Sequence, residues 1–120
     1  PTITLRKKDY EQISQIVARL DTDTAAALEE EINRAEIMDE VSQDIVTMNS
    51  VVTFFDSEAN KETSITLVYP QDADLDSNKI SVLAPVGSAL IGLRVGQEID
   101  WPMPNKKSKR FKVIRVKQEL

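Results

Sequence analysis

The hydrophobic residues of this chain change their spacing partway along it, and that change limits the folds it can adopt. Up to Ala35 they recur every three or four residues, which is the period of a helix with one buried face. From Ile45 onward they recur at every second residue, which is the period of a strand with one buried face. The sequence therefore predicts an α+β protein with helices first and a sheet after them.

The first part predicts two short helices joined by a tight turn. Apolar residues follow a helical spacing in both, at Tyr10, Ile13, Val17 and Leu20 and then at Ala25, Leu28, Ile32 and Ala35. Between them, the segment "DTDT" (residues 21–24) favours caps and turns, and Thr24 is the predicted N-cap of the second helix. We expect a short antiparallel αα-hairpin, a minimal coiled coil, with arms of about 13–15 residues that are roughly 20 Å long.

The second part predicts a small, mostly antiparallel sheet with one short helix against it. Strands are expected around residues 50–56, 63–69, 80–83, 97–101 and 108–118, with polar turns at 56–61 and 71–79. Pro85 and Gly87 are expected to form a turn, after which Ser88 caps a helix over residues 89–93.

Two details of this second part carry further expectations. We expect Gly87 and Gly96 to supply unusual backbone angles and Gly92 to permit close packing. In the last strand, the apolar residues at 111 and 113 point to one face and those at 114 and 116 to the other. This pattern predicts a bulge or burial on both faces.

Composition excludes several kinds of catalytic and metal site. The chain has no Cys and no His, so thiol nucleophiles, zinc–thiolate sites and Ser-His-Asp triads are impossible. Any metal would have to be a hard cation held by carboxylates, and the three glycines do not form a phosphate-binding loop. No apolar run approaches the roughly 18 residues of a membrane span, and no secretory signal is present. We expect a cytoplasmic protein without cofactor, metal or membrane contact.

Charge is unevenly distributed along the chain. Residues 1–44 carry 11 acids and 5 bases, whereas the remaining residues carry 9 acids and 10 bases. Seven of those bases lie in residues 106–117, where they attract either nucleic acid without specificity or an acidic patch on a protein partner. Because they are spread along a strand whose outer face needs solvation, and the whole chain has a net charge of −5, we expect no specific nucleic-acid binding.

Three segments together resemble one protein family. The stretch "ISVLAPVGSALIGLRVGQEIDWPMP" (80–104) is similar to the signature of the globular domain of the Gre transcript-cleavage factors, and "TLVYPQDAD" (66–74) is similar to the segment before it. The segment "VTMNSVVTF" (46–54), together with "LAPVG", resembles the Rnk subgroup, the regulators of nucleoside diphosphate kinase. The resemblance covers nearly all of residues 44–117.

The resemblance implies a two-part chain and a partner. Residues 1–43 would form a shortened helical hairpin, and residues 44–120 would form an FKBP-like antiparallel sheet domain with one short helix. The implied partner is bacterial RNA polymerase, bound at the rim of its secondary channel. Gre factors insert a long coiled coil into that channel, where acidic residues at its tip help hold a Mg²⁺ ion that activates water for RNA cleavage.

The predicted hairpin tip departs from the Gre pattern. Where that family carries Asp-Leu-Ser-Glu-Asn, this chain has "LDTDTAA", so that Asp21, Thr22 and Asp23 are the candidate tip residues. Either the two carboxylates contribute to a polymerase-bound Mg²⁺ ion, or they cap the second helix and solvate the turn. An arm of roughly 20 Å is also much shorter than the Gre coiled coil.

The polymerase-facing turn departs from the pattern as well. Gre proteins tend to place Asp-Ser-Pro there, whereas this chain places Leu83, Ala84 and Pro85, followed by Val86. These four residues are the candidate polymerase contacts, although the alternative is that Leu83 and Val86 fill the core. Trp101, the only tryptophan, is expected to cover the sheet as a partly buried side chain.

Three hypotheses about function follow. The first is a non-enzymatic regulator that docks at the secondary channel, leaves RNA uncut and competes with Gre-type factors. The second is a genuine transcript-cleavage factor that uses Asp21 and Asp23. The third is a peptidyl-prolyl isomerase, suggested by the implied fold alone; it needs an aromatic-lined pocket that a chain with six aromatic residues supplies poorly.

Overall fold

The change of hydrophobic period corresponds to a change from helices to a sheet. The computed structural model describes residues 2–102 and 108–118. Its helices are α1 (Lys7–Val17), α2 (Asp23–Asn33) and α3 (Pro85–Leu90). Its strands are β1 (Thr4–Arg6), β2 (Glu36–Met38), β3 (Val51–Asp56), β4 (Lys61–Val68), β5 (Lys79–Ser81), β6 (Glu98–Pro102) and β7 (Ser108–Lys117). Among these residues no helix is long and apolar enough to cross a membrane.

The main sheet has five strands in the order β5-β4-β3-β7-β6. Neighbouring strands are antiparallel except β4 and β5, which run parallel at one edge. The α+β class and the mostly antiparallel sheet are therefore confirmed. The bulge is confirmed too, because the pairing of β3 with β7 shifts between Thr53 and Phe54 and leaves Ile114 without a partner. The extra residue brings Val113 and Val116 to the same face.

The two predicted helices form, but their ends differ from the prediction. Helix α1 ends at Val17, and Leu20 is an exposed residue of the connection. The N-cap of α2 is Thr22 rather than Thr24, and its hydroxyl oxygen accepts a hydrogen bond from the Ala25 N–H at 3.1 Å. Thr22 and Thr24 both suit an N-cap position. Because α2 begins at Asp23, the cap is the residue before it, Thr22.

The hairpin packs into the same hydrophobic core as the sheet. Ile13 of α1 and Leu28 of α2 belong to one cluster with Met48, Leu67 and Phe111. Strands β1 and β2, which the sequence did not predict, form a parallel pair. β1 precedes α1, and β2 follows α2. The radius of gyration is 13.0 Å, close to the value of about 14 Å for a compact chain of this length. A division at residue 43 stays a prediction, since this core is continuous across it.

The third helix begins earlier than predicted. Pro85 is its first residue rather than part of a turn, because the fixed backbone angle of proline suits that position. Ser88 lies inside the helix, and its hydroxyl donates a hydrogen bond to the Val82 carbonyl oxygen at 2.6 Å. The expected role of Ser88 as a cap was therefore wrong.

The expectations for Gly92 and Gly96 are confirmed, and the one for Gly87 was wrong. Gly96 has a φ of +92°, which favours glycine, and a Cβ atom at Gly92 would lie 2.9 Å from the Cβ atom of Ile3. Gly92 also has a φ of +80°. Gly87 has no positive φ and is a close-packing residue, because a Cβ atom there would overlap the carbonyl oxygen of Ser81 on β5. The sequence could not show this, since it depends on how α3 packs on β5.

We expect Gly87→Ala to lower the free energy of unfolding by about 2–3 kcal/mol, because the added methyl group must push α3 away from β5. Gly96→Asn is the control, since the space around Gly96 is open and asparagine tolerates positive φ. It should cost less than about 1 kcal/mol. Urea denaturation of both variants tests the difference, and equal costs would contradict the packing argument.

Candidate functional site

The four candidate contact residues lie together where β5 leads into α3. Leu83, Ala84, Pro85 and Val86 are all half-buried. The segment is held by Ser81, whose hydroxyl oxygen accepts the Leu83 N–H and whose carbonyl oxygen accepts the Ala84 N–H, both at 3.0 Å. Leu83 and Val86 also pack against the core. The core alternative therefore applies to Leu83 and Val86, and contact of the segment with polymerase stays a prediction.

Ala84, Pro85 and Val86 form one wall of a groove, which we call the Pro85 groove. Its volume is about 340 Å³, and the sheet provides the remaining lining: Phe54, Asp56, Thr63, Ile65 and Ile80. The ring of Phe54 packs edge-to-face on Phe111 at 5.5 Å, which fixes its position. Among the described lining residues Phe54 is the one aromatic, so the groove suits an aliphatic side chain of a partner.

Asp56 is the one charged residue in the described lining of this groove. Burial raises the pKa of its carboxyl, but hydrogen bonds from the backbone N–H groups of Ala59 and Glu58 and from Lys109 outweigh burial, so the pKa is lowered. The Lys109 ammonium lies 3.4 Å from the Asp56 carboxylate. The groove therefore contains an ionised carboxylate beside its apolar surface, and the charge of that carboxylate is compensated by Lys109.

Sequence reasoning identified one wall of the Pro85 groove and missed the other. Phe54, Ile65 and Ile80 fall within the strands predicted at 50–56, 63–69 and 80–83, but the alternation of a strand does not show which residues of different strands meet. The register of β3 with β4 places Val52 opposite Ile65 and Phe54 opposite Thr63. The position of the segment before α3 then determines which of these side chains line the groove.

The predicted tip residues do lie between the two helices. Asp21, Thr22 and Asp23 are all exposed. Thr22 caps α2, and Asp23 occupies its first turn, where a negative charge is favourable. Each helix has 11 residues, which corresponds to a length of about 16 Å. Within the described parts of the chain, no three acidic side chains come close enough together to hold a metal ion.

The predicted basic end is largely neutralised where it is described. Lys109, Arg110 and Arg115 of β7 each pair with a carboxylate, those of Asp56, Asp100 and Glu62 respectively. Residues 106 and 107 of the basic segment lie outside the described residues. Neighbouring strands therefore account for much of this charge, which agrees with a solvated sheet face.

A buried ion pair, which sequence reasoning missed, joins the hairpin to the sheet. Asp9 is 1% exposed, and its carboxylate accepts two hydrogen bonds from Arg6 at 3.0 Å. The same carboxylate accepts the backbone N–H of Met48 at 3.1 Å, and Arg6 also donates to the Met48 carbonyl oxygen at 3.4 Å. Arg6 and Asp9 are three residues apart, as in many exposed helical pairs, so spacing alone did not reveal the burial.

Two family models match the sequence of this chain. The model described as the C-terminal domain of the transcription elongation factors GreA and GreB matches residues 41–118, which is more than half of the chain. The model described as the Rnk N-terminus matches residues 1–38. The chain therefore belongs to the GreA/GreB family, and the resemblance noted in its sequence is confirmed.

Within that family the chain belongs to the Rnk group. The regulator of nucleoside diphosphate kinase of Escherichia coli (strain K12) is 36% identical over 124 residues, which cover 99% of this chain and 91% of that protein. The structure of a prokaryotic transcription elongation factor GreA/GreB from Nitrosomonas europaea is 41% identical, with a TM-score of 0.77 and 98% of both chains covered. The transcription inhibitor protein Gfh1 of Thermus aquaticus is 33% identical over 86% of this chain and 63% of its own length.

We expect Asp9→Ala to destabilise the protein by about 3–5 kcal/mol, because it leaves the Arg6 guanidinium and the Met48 N–H without their acceptor. Asp44→Ala is the matched control, since Asp44 also pairs with an arginine, at 3.2 Å, but is 40% exposed. Its cost should not exceed about 1 kcal/mol. Similar unfolding midpoints for Asp9→Ala and Asp44→Ala would show that the buried ion pair stabilises the fold no more than the exposed one.

The lowered pKa of Asp56 gives a second prediction, with a definite sign. A carboxyl with a lower pKa in the folded chain stabilises the fold above its unfolded pKa of about 3.9, and this stabilisation disappears as the pH falls through the folded pKa. Asp56→Asn should therefore lower the free energy of unfolding near neutral pH, and its difference from the wild type should shrink below about pH 4. Urea titrations at several pH values measure this; a constant difference would exclude the charge as its cause.

Proposed function

We propose that this chain is a non-enzymatic transcription regulator that binds bacterial RNA polymerase at the rim of the secondary channel. It leaves RNA uncut and competes with Gre-type factors for the shared position. It acts in the cytoplasm, where its partner is found. Any effect on nucleoside diphosphate kinase arises through transcription and not through contact with that enzyme.

The length of the hairpin carries this proposal. Its helices are about 16 Å long, they pack into the core of the sheet domain, and the molecule measures 34 × 32 × 29 Å along its principal axes. Among the described residues, nearly equal axes leave no long projecting coiled coil. A hairpin of this length, mounted at the mouth of a channel, stops before a catalytic centre deep inside it.

The Pro85 groove provides the proposed contact with polymerase. Its apolar wall of Ala84, Pro85 and Val86 suits an apolar side chain of the partner, whereas the carboxylate of Asp56 is already paired with Lys109. The wall is pre-ordered by its hydrogen bonds to Ser81, so binding costs little conformational entropy.

One observation favours the alternative of a transcript-cleavage factor. The structure from Nitrosomonas europaea, similar along 98% of both chains, carries the name of an elongation factor. In that case Asp21 and Asp23 would supply the carboxylates. Binding and cleavage must therefore be measured separately, each with its own variants.

The experiment uses the full chain with core polymerase and a labelled Gre factor. We expect the chain to displace the Gre factor and to leave the RNA of backtracked complexes intact. Pro85→Asp should weaken displacement at least about tenfold, because it places a charge in the apolar wall. Pro70→Asp is the matched control, since Pro70 also begins a helical turn, but outside the groove.

Two results would contradict the proposal. Equal displacement by the Pro85→Asp and wild-type chains would remove the groove from the interface. Stimulated RNA cleavage that disappears in the Asp21→Asn/Asp23→Asn double variant would establish the alternative.

A further inference from the structure

A second groove, which we call the Trp101 groove, lies between α2 and β6. Its volume is about 350 Å³, at the lower end of the range for ligand pockets. The apolar lining includes Ala27, Ile99 and Trp101, and the polar lining consists of three carboxylates, those of Glu30, Glu31 and Asp100. It shares no described lining residue with the Pro85 groove.

The three carboxylates can accept a further cation. Glu30 is exposed and makes no ion pair among the described residues. Glu31 pairs with Arg34, and Asp100 pairs with Arg110 at 3.0 Å. The Asp100 side chain is 57% exposed and can share its charge with an arriving cation, whereas the Glu31 side chain is 20% exposed, which leaves Glu30 as the most available carboxylate.

The negative charge of the residues around the Trp101 groove favours a positively charged ligand. Residues 21–44, which include all of α2, contain nine acids and one base, a net charge of −8. The whole chain has a net charge of −5, so the rest is positive. A potential of this sign attracts a basic segment and repels nucleic acid.

We infer that the Trp101 groove binds a basic peptide segment of a protein partner, with a lysine or arginine side chain lying in it. The cationic group of that side chain contacts Glu30, and its methylene groups lie along the apolar lining. This binding uses a surface separate from the polymerase contact proposed above, so either proposal can fail without the other.

Trp101 provides the measurement. It is the only tryptophan of the chain and it lines the groove, so its fluorescence reports occupancy at this position. The probe is a hexa-arginine peptide added to the full chain at low ionic strength, with hexaglutamate as the negative control. We expect a saturable change in fluorescence with hexa-arginine, weakened by added salt, and none with hexaglutamate.

Substitutions of two adjacent glutamates distinguish a contact inside the groove from long-range electrostatic attraction. Glu30→Gln should weaken the binding of hexa-arginine about three- to fivefold, as expected for the loss of an exposed charged contact. Glu29→Gln removes the same charge from an exposed neighbour outside the groove and should weaken it by less than about twofold. Neither side chain is buried, so both variants should fold.

Three results would overturn the inference. The first is an absence of any fluorescence change. The second is an equal loss of affinity in Glu29→Gln and Glu30→Gln, which would indicate diffuse attraction only. The third is a loss of hexa-arginine binding in Asp56→Asn with none in Glu30→Gln, which would move the site to the other groove.

Discussion

The arrangement of this molecule depends on the buried contact between Arg6, Asp9 and the backbone of Met48. A carboxylate removed from water must be compensated by charge and hydrogen bonds, and Asp9 receives both from groups on either side of the hairpin–sheet boundary. Because Met48 leads into β3, this contact sets where the hairpin lies against the sheet. The short hairpin, on which the proposed function rests, is held to the body at this point.

Much of the fold could be predicted because its hydrophobic pattern is regular. The helical spacing around Ile13 and Leu28 and the alternation around Phe54 and Ile65 each gave the correct element. The pattern of the last strand predicted either a bulge or burial on both faces, and the structure has the bulge, with Ile114 as the inserted residue. In these segments, local pattern and tertiary packing favour the same structure.

The candidate site was less predictable because it depends on contacts between distant segments. Pro85 was identified from the sequence, but the start of α3 was not, since Pro-Val-Gly fits a turn as well as a first helical turn. The carboxylate of Asp56 and the ring of Phe54 join the groove only through strand register. The same limit explains Asp9, whose burial depends on a partner 39 residues away.

The close seating of Gly87 on β5 has a consequence for recognition. Since α3 cannot move toward the sheet, and its hydrogen bonds resist movement away, the cleft beside Pro85 keeps a constant width. Under the proposed function, the partner would meet a preformed groove, and discrimination between partners would depend on the shape of their side chains and not on induced adjustment. Rigidity of this kind favours selectivity for one aliphatic shape over tolerance of many.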